Sequence, residues 1–467
     1  MGSNALGEYL GHSHSHASVV NTDNCETQGT FSVGYAELKV RWPESAFSSG
    51  DFARIETPRR MGKCTTVFVV SGVLLAGVGY MLYTPLPAHL ANQWQLQKMF
   101  CKFKVSFMAS EVLYQLGLNG KERMYGMRKA FNYLFKNLAT EEDHAALEIY
   151  DTELNGVPVR TYKPKSAKEA LPGLVYYHGG GWAVMNIETY DAICAYIARK
   201  TNIIVISVEY RLAPENPFPA GFDDCVQVAL YALQKGRDLN LDPTRIAVGG
   251  DSAGGNLAAA VSLKLRDDKV KPALKSQLLI YGLLQMCDLS LPVMKQREEY
   301  ENSTLMLAAF YKAYFNLTEA QTGLLTTKKY STPELVQRCT KLVDYRLLPK
   351  ELVPDGYEPE VSLASSVTDD VKYISKMFSD PRAAPMMEEN LKNLPASLVV
   401  AAEWDSLRDE SLIFAERLKE AGNKVQLKYL ADSFHGILNA FDYEKFGFDA
   451  GPVIMNSIIE FINKDVK

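Results

Sequence analysis

Charge of one sign is what this 467-residue chain most lacks: 50 Lys and Arg against 55 Asp and Glu leave a net charge of -5. No basic stripe offsets that balance, so the electrostatic footprint of a nucleic-acid binder is missing and no nucleic-acid partner is expected. No Gly-x-x-x-x-Gly-Lys loop occurs, which excludes a P-loop phosphate cradle, and no Cys-x-x-Cys or other zinc-ligand spacing occurs either. The seven cysteines, Cys25, Cys64, Cys101, Cys194, Cys225, Cys287 and Cys339, are odd in number and irregularly spaced. They make no disulfide framework and leave the redox compartment open. His12, His14 and His16 could hold a transition metal, but such a cluster in a polar tail more often binds nothing. Neither a metal nor a cofactor is expected.

The apolar and charged shares, 47% and 22%, are those of a globular chain. Residues 1 to 60 stand apart: rich in Ser, Gly, Asn and Thr without a sustained period, they read as a disordered N-terminal extension. The segment 61 to 84 reads as a transmembrane signal anchor. Its core, Thr65 to Thr84, is twenty residues without a charge, long enough at ~1.5 Å per residue to cross the ~30 Å hydrocarbon layer. Arg54, Arg59, Arg60 and Lys63 precede it and the next cation is Lys98, which places the N-terminus in the cytosol and the body on the far side. Pro85-Leu-Pro87 stands where a cleaved signal peptide would need small residues, so the span is expected to stay. Met61-Gly-Lys-Cys64 would serve as a start just before it.

The body, 85 to 467, alternates strand and helix from about Leu147. An opening hairpin (Leu147 to Asp151, Val157 to Tyr162) is followed by apolar runs at Leu174 to Tyr177, Ile203 to Val208, Ile246 to Val248, Gln277 to Tyr281, Ala396 to Ala402 and Val425 to Leu430. Helical patterns separate them, which predicts an α/β fold with a mostly parallel sheet covered on both faces. Two segments break the rhythm. Residues 88 to 137 show helical spacing of Trp94, Met99, Phe100, Phe103, Phe107, Val112, Leu113 and Leu116, which reads as one or two amphipathic helices that pack on the body, form a lid meeting lipid or a greasy substrate, or do both. Residues 286 to 376 interrupt the alternation, and both segments are expected to form a helical cap over the sheet. Asn302 and Asn316 head glycosylation sequons in the second, in keeping with a lumenal surface.

Chemistry gathers at Gly250-Asp-Ser-Ala-Gly254, which closes an apolar strand and opens a helix. A serine on so sharp a turn reads as a nucleophile elbow, with Gly250 and Gly254 present because a side chain at either would strike its neighbours. Ser252 needs a base, and downstream of His144 only His178 and His435 exist. His178 precedes the elbow inside a glycine run with another use, so His435 is the candidate. The acid should leave a strand end between them. Asp405, directly after Leu398 to Trp404, fits better than Asp409, which lies at the start of the next helix, where acidic residues complement the dipole. His178-Gly179-Gly180-Gly181 leaves the strand one unit upstream, and the N–H groups of Gly180 and Gly181, with that of Ala253, are the candidate oxyanion donors.

These residues resemble the hormone-sensitive lipase family of α/β-hydrolases. The likeness is carried by His178-Gly-Gly-Gly181, Tyr210-Arg-Leu-Ala-Pro-Glu215 with Pro217-Phe-Pro219, Gly250 to Asn256, Asp380 to Pro385, Asp405 to Glu410 and His435-Gly436, over about residues 147 to 467. It implies an α/β-hydrolase fold and a serine hydrolase acting on ester, amide or acylglycerol bonds. Met61-Gly-Lys before an uncleaved span and Tyr83-Thr-Pro-Leu-Pro87 after it are similar to microsomal members anchored in the endoplasmic reticulum, with the catalytic domain in the lumen; small-acyl deacetylation and cholesteryl ester hydrolysis both lie within that range. Relatives often carry cysteines where this chain has Ala183 and Ala402, which implies that a disulfide between those loops is missing here. A ligand receptor on the same scaffold is the reading from another class. Plant gibberellin receptors, which resemble the family, lack the base, so His435 favours an enzyme.

Overall fold

Eight strands of the body pair into one sheet: β1 (Leu147–Leu154), β2 (Val157–Pro164), β3 (Leu171–Tyr177), β4 (Ile204–Val208), β5 (Leu241–Asp251), β6 (Ser276–Ile280), β7 (Ala396–Trp404) and β8 (Val425–Phe434). Their spatial order is β1-β2-β4-β3-β5-β6-β7-β8. β2 runs antiparallel to both of its neighbours, and every pairing from β4 to β8 is parallel. The computed structural model describes residues 32–33, 36–37, 79, 82–86, 90–117, 123–298, 303–360 and 362–467. Asn302, the histidines at 12, 14 and 16, and the uncharged run apart from Gly79 and residues 82 to 84 lie outside them. Among the described residues no helix is long and apolar enough to cross a membrane. The chain divides into two compact units, 1–74 and 75–467; in the first, Ser32–Val33 and Ala36–Glu37 pair antiparallel.

Strand order decides where the helices lie. From β3 the chain steps one way to β4 and then back past β3 to β5, and right-handed crossovers put the two connecting helices on opposite faces. The first of these, Asp191–Thr201, packs with the C-terminal helix Ala450–Asp465; the second, Ala220–Gln234, packs with Ala253–Asp267. β4 and β6 are buried along their whole length, as parallel strands covered on both faces must be. The reversal around β3 leaves a crevice at the carboxyl ends of β3 and β5, where ligands of open α/β sheets bind.

The two irregular segments are helical. Residues 88 to 137 contain α1 (Gln93–Gln115) and α2 (Arg123–Leu134), joined by Phe103 packing on Phe131 and Phe135 at 5.1 and 5.0 Å between ring centroids. Between β6 and β7 the chain inserts Pro292–Glu298, Ser303–Phe315, Glu319–Thr326, Pro333–Leu342 and Asp369–Phe378. Here the irregular cysteine spacing was misleading: Cys287, at the root of this insertion, is disulfide-bonded to Cys339 within it.

Candidate active site

Ser252 ends the β5 stem at φ 55° and ψ -122°, a conformation that non-glycine residues hold only where the surroundings enforce it. The two glycines of the elbow supply that enforcement. A Cβ on Gly250 would come within 2.3 Å of the Tyr177 carbonyl oxygen, and one on Gly254 within 1.9 Å of the same atom. Helix and strand are thus pressed together, and the turn between them has no room to relax. The Ser252 N–H donates to the Ile280 carbonyl at 2.9 Å, which fastens the elbow to β6.

The structure brings Ser252, His435 and Asp405 into one line. His435 Nε2 lies 2.9 Å from Ser252 Oγ, and its Nδ1 lies 2.8 Å from Asp405 Oδ2. A carboxylate only accepts, so Nδ1 carries the proton and Nε2 is free to accept from the hydroxyl. Asp405, fully buried just past β7, is steadied by the Leu407 N–H donating to Oδ1 at 2.8 Å. Burial lowers the His435 pKa, but the charge and hydrogen bond of Asp405, with the charge of Asp251, outweigh it and hold the imidazole above its ordinary value. Asp409 serves elsewhere: its Oδ2 accepts from the Val293 N–H at 2.7 Å, at the start of the inserted helices. Its neighbour Glu410 accepts from the Leu284 N–H at 2.9 Å. Both acids at that helix start hold down the insertion's root.

The glycine loop sits beside the elbow. Gly180 and Gly181 have φ of 110° and 57°; a Cβ would meet the Val184 carbonyl oxygen at 2.2 Å in the first and the Phe310 ring at 2.3 Å in the second. Among the described residues the N–H groups of Gly180, Gly181 and Ala253 have no hydrogen-bond partner, so all three are available as donors. His178 is wholly buried, stacked on Tyr210 at 4.4 Å, with Nδ1 2.7 Å from the Gly179 carbonyl oxygen. Burial pushes its pKa down to about 4, so it is a neutral brace for the loop. The Tyr210 hydroxyl donates to the His178 carbonyl at 2.8 Å, which gives the Tyr210-Arg-Leu-Ala-Pro-Glu215 segment a role in holding the same loop.

One residue within the elbow motif is missed when that motif is read only as a turn. Asp251, buried next to Ser252, accepts from the Gly179 N–H at 3.1 Å and the Tyr176 hydroxyl at 2.9 Å on Oδ1, and from the Tyr190 hydroxyl at 2.8 Å on Oδ2. Tyr190 in turn accepts from Asn439 Nδ2 at 3.2 Å, on the turn that follows His435. Elbow, glycine loop and histidine turn therefore meet at one carboxylate. Burial raises its pKa to about 6 against the lowering effect of the two phenols. No spacing rule marks Tyr190 or Asn439, which are distant in sequence. Asn256 is a further tie: its Nδ2 donates to the carbonyls of Leu283 and Ala383, each at 2.7 Å.

Comparison with known proteins agrees with this geometry. Residues 174–324 and 366–439 match the model of a family described by its alpha/beta hydrolase fold. Rabbit (Oryctolagus cuniculus) arylacetamide deacetylase is 31% identical over 414 residues, 87% of this chain and 100% of the relative. Neutral cholesterol ester hydrolase 1 of Bos taurus is 29% identical over 415 residues, covering 85% of this chain and 99% of that protein. Among solved structures, EstE1, a thermostable carboxylesterase cloned from a metagenomic library, superposes with a TM-score of 0.54 at 26% identity, over 74% of this chain and 98% of its own. A thermostable esterase from Pseudomonas putida shares the fold at a TM-score of 0.56 and 21% identity, over 78% and 97% of the two chains.

Proposed function

This chain belongs to the α/β-hydrolase family that includes arylacetamide deacetylase and neutral cholesterol ester hydrolase, and is a carboxylic ester hydrolase; we propose that it works by acyl transfer through Ser252. The observation that carries this is the hydrogen-bonded line Ser252 Oγ, His435 and Asp405, at 2.9 and 2.8 Å. His435 Nε2 takes the hydroxyl proton as Oγ attacks the carbonyl carbon, and Asp405 holds the imidazole in the required tautomer. The N–H groups of Gly180, Gly181 and Ala253 receive the developing oxyanion. Ala253 also opens a helix, whose positive N-terminal end adds to that stabilisation. Protonated His435 then returns its proton to the leaving alcohol or amine, and water repeats the sequence on the acyl-enzyme. Ser252→Ala should lower kcat on a short p-nitrophenyl ester by about 10⁶-fold with the fold intact; retention of wild-type turnover would sink the assignment.

The substrates are carboxylic esters, arylacetamide-type amides or acylglycerols, with cholesteryl esters as the second reading suggested by the bovine relative. Hydrolysis measured from acetyl to oleoyl esters separates a small-acyl deacetylase from a lipase. We place the protein in the endoplasmic reticulum membrane as a single-pass type II protein with a lumenal catalytic domain. Supporting this are the uncharged run with its upstream cations, the buried Cys287–Cys339 disulfide, a bond of oxidising compartments, and the exposed side chain of Asn316 in its sequon. Endoglycosidase treatment of the expressed protein should increase its mobility on a gel; insensitivity together with cytosolic protease access to the body would reverse the orientation.

A further inference from the structure

We propose that α1 is a second membrane contact: it lies flat in the lipid–water interface with an apolar row facing the acyl chains, and holds the mouth of the active site there. This rests on the anchor reading of Thr65 to Thr84. α1 is apolar on two sides. Inward, Leu96 is buried and Phe103 packs on α2. Outward, Val105, Met108, Val112 and Leu116 are exposed by 49, 40, 57 and 65%. These positions fall at helical spacing and make one continuous stripe. A contiguous exposed apolar surface of that kind marks an interaction site.

The occupant is argued from what touches α1. The last residues of the uncharged run are hydrogen-bonded to its flank: Gln97 Nε2 donates to the Leu82 carbonyl at 3.3 Å, the Thr84 N–H donates to Gln97 Oε1 at 3.4 Å, and Lys104 Nζ donates to the Tyr83 carbonyl at 2.6 Å. The layer that takes up the run therefore ends beside α1. Tyr83 and Trp94, exposed by 59 and 69%, stand at this boundary, as aromatic side chains do at membrane surfaces. Lys98 and Lys102 lie in the N-terminal half of the helix, suited to anionic head groups. These cations also explain why α1 lies on the bilayer and does not cross it.

The contact has a consequence for substrate. α2, packed on α1, carries Arg128, whose Nε donates to the Ala183 carbonyl at 2.6 Å and whose Nη2 donates to the Ala213 carbonyl at 2.6 Å. Glu215 closes the fork with two further bonds at 2.6 and 2.7 Å. Ala183 is two residues beyond Gly181, so the helix pair is fastened to the end of the glycine loop. An α1 held in the interface puts that loop beside the bilayer, where esters too greasy for water reside.

The test uses the full chain in phosphatidylcholine–phosphatidylserine vesicles with brominated acyl chains. Part of the tryptophan emission should be quenched, and that part should vanish in Trp94→Phe; an unchanged quenched fraction in the variant overturns the proposal. Met108→Glu with Val112→Glu should lower kcat/KM about tenfold or more for a long-chain ester dispersed in the bilayer. On soluble p-nitrophenyl acetate the same variant should match wild type; equal rates on both substrates, relative to wild type, also count against docking. Carbonate extraction separates the two readings: release of the chain refutes the anchor, whereas Trp94 quenching decides the docking surface by itself.

Discussion

Asp251 shows how one side chain can set the geometry of reacting groups it does not touch. It is read off the sequence only as part of an elbow, because its partners, Tyr176, Tyr190 and the Gly179 N–H, come from other elements. Asp251→Asn keeps one acceptor and aims an amide N–H at groups that are themselves donors, so the glycine loop should lose its register. We expect kcat to fall about 10²-fold, the cost of a misplaced oxyanion donor, with KM for a short ester little changed; unaltered kcat would contradict the positioning role. The pH profile gives a second readout. His435 must be neutral to act, and its raised pKa places the acid limb of kcat/KM above the ordinary imidazole value of about 6.5. The groups facing Asp251 are Tyr176, Tyr190, Tyr210, Tyr281, Cys194 and His435. Burial raises the phenols and the thiol, which stay protonated in this range, so of these groups only Asp251 and His435 titrate. Protonating Asp251, near pH 6, frees one acceptor of the loop, so the limb should steepen beyond a single-proton slope. In Asp251→Asn the charge that favours imidazolium is gone: the limb should return to unit slope and its midpoint should move to lower pH.

Elements with one strong period were legible before the structure; elements held by distant contacts were not. β4 is an almost unbroken apolar run, and β6 becomes one after Ser276 and Gln277, because both faces are covered; the helices between them follow from spacing alone. α1 and α2 were expected as amphipathic helices, but α1 presents apolar side chains on two sides, so its periodicity understates how much surface it leaves for a partner. The bond between Cys287 and Cys339 joins residues 52 apart and obeys no motif. Closing a loop of that length restricts the unfolded chain by up to about 4 kcal/mol. Cys339→Ser should therefore lower the free energy of unfolding in urea by an amount of that order and loosen the inserted helices first; an unchanged midpoint would show that packing alone secures them.

For the whole molecule, strand order and chemistry point to the same place. The reversal at β3 opens the crevice, β3 delivers the glycine loop, β5 the serine, β7 the acid and β8 the histidine, each at a carboxyl end. The elbow motif, the scarcity of histidines and a strand end pointed to Ser252, His435 and Asp405, and the structure puts those three side chains in one hydrogen-bonded line. What chain order could not supply was the support around them: the Asp251 contacts, the Arg128 fork on Ala183 and the Asn256 ties to two loops. Such contacts depend on which elements the fold brings together, and no local pattern encodes them. The central claim is that Ser252 carries the acyl group. Quenching the enzyme in acid within the first turnover of a p-nitrophenyl ester, then reading the mass of the peptide that contains Ser252, tests it directly. The account predicts a burst of about one nitrophenolate per chain and an acyl adduct on Ser252 that is absent in Ser252→Ala; a burst that persists in that variant, or an adduct on another residue, would contradict it.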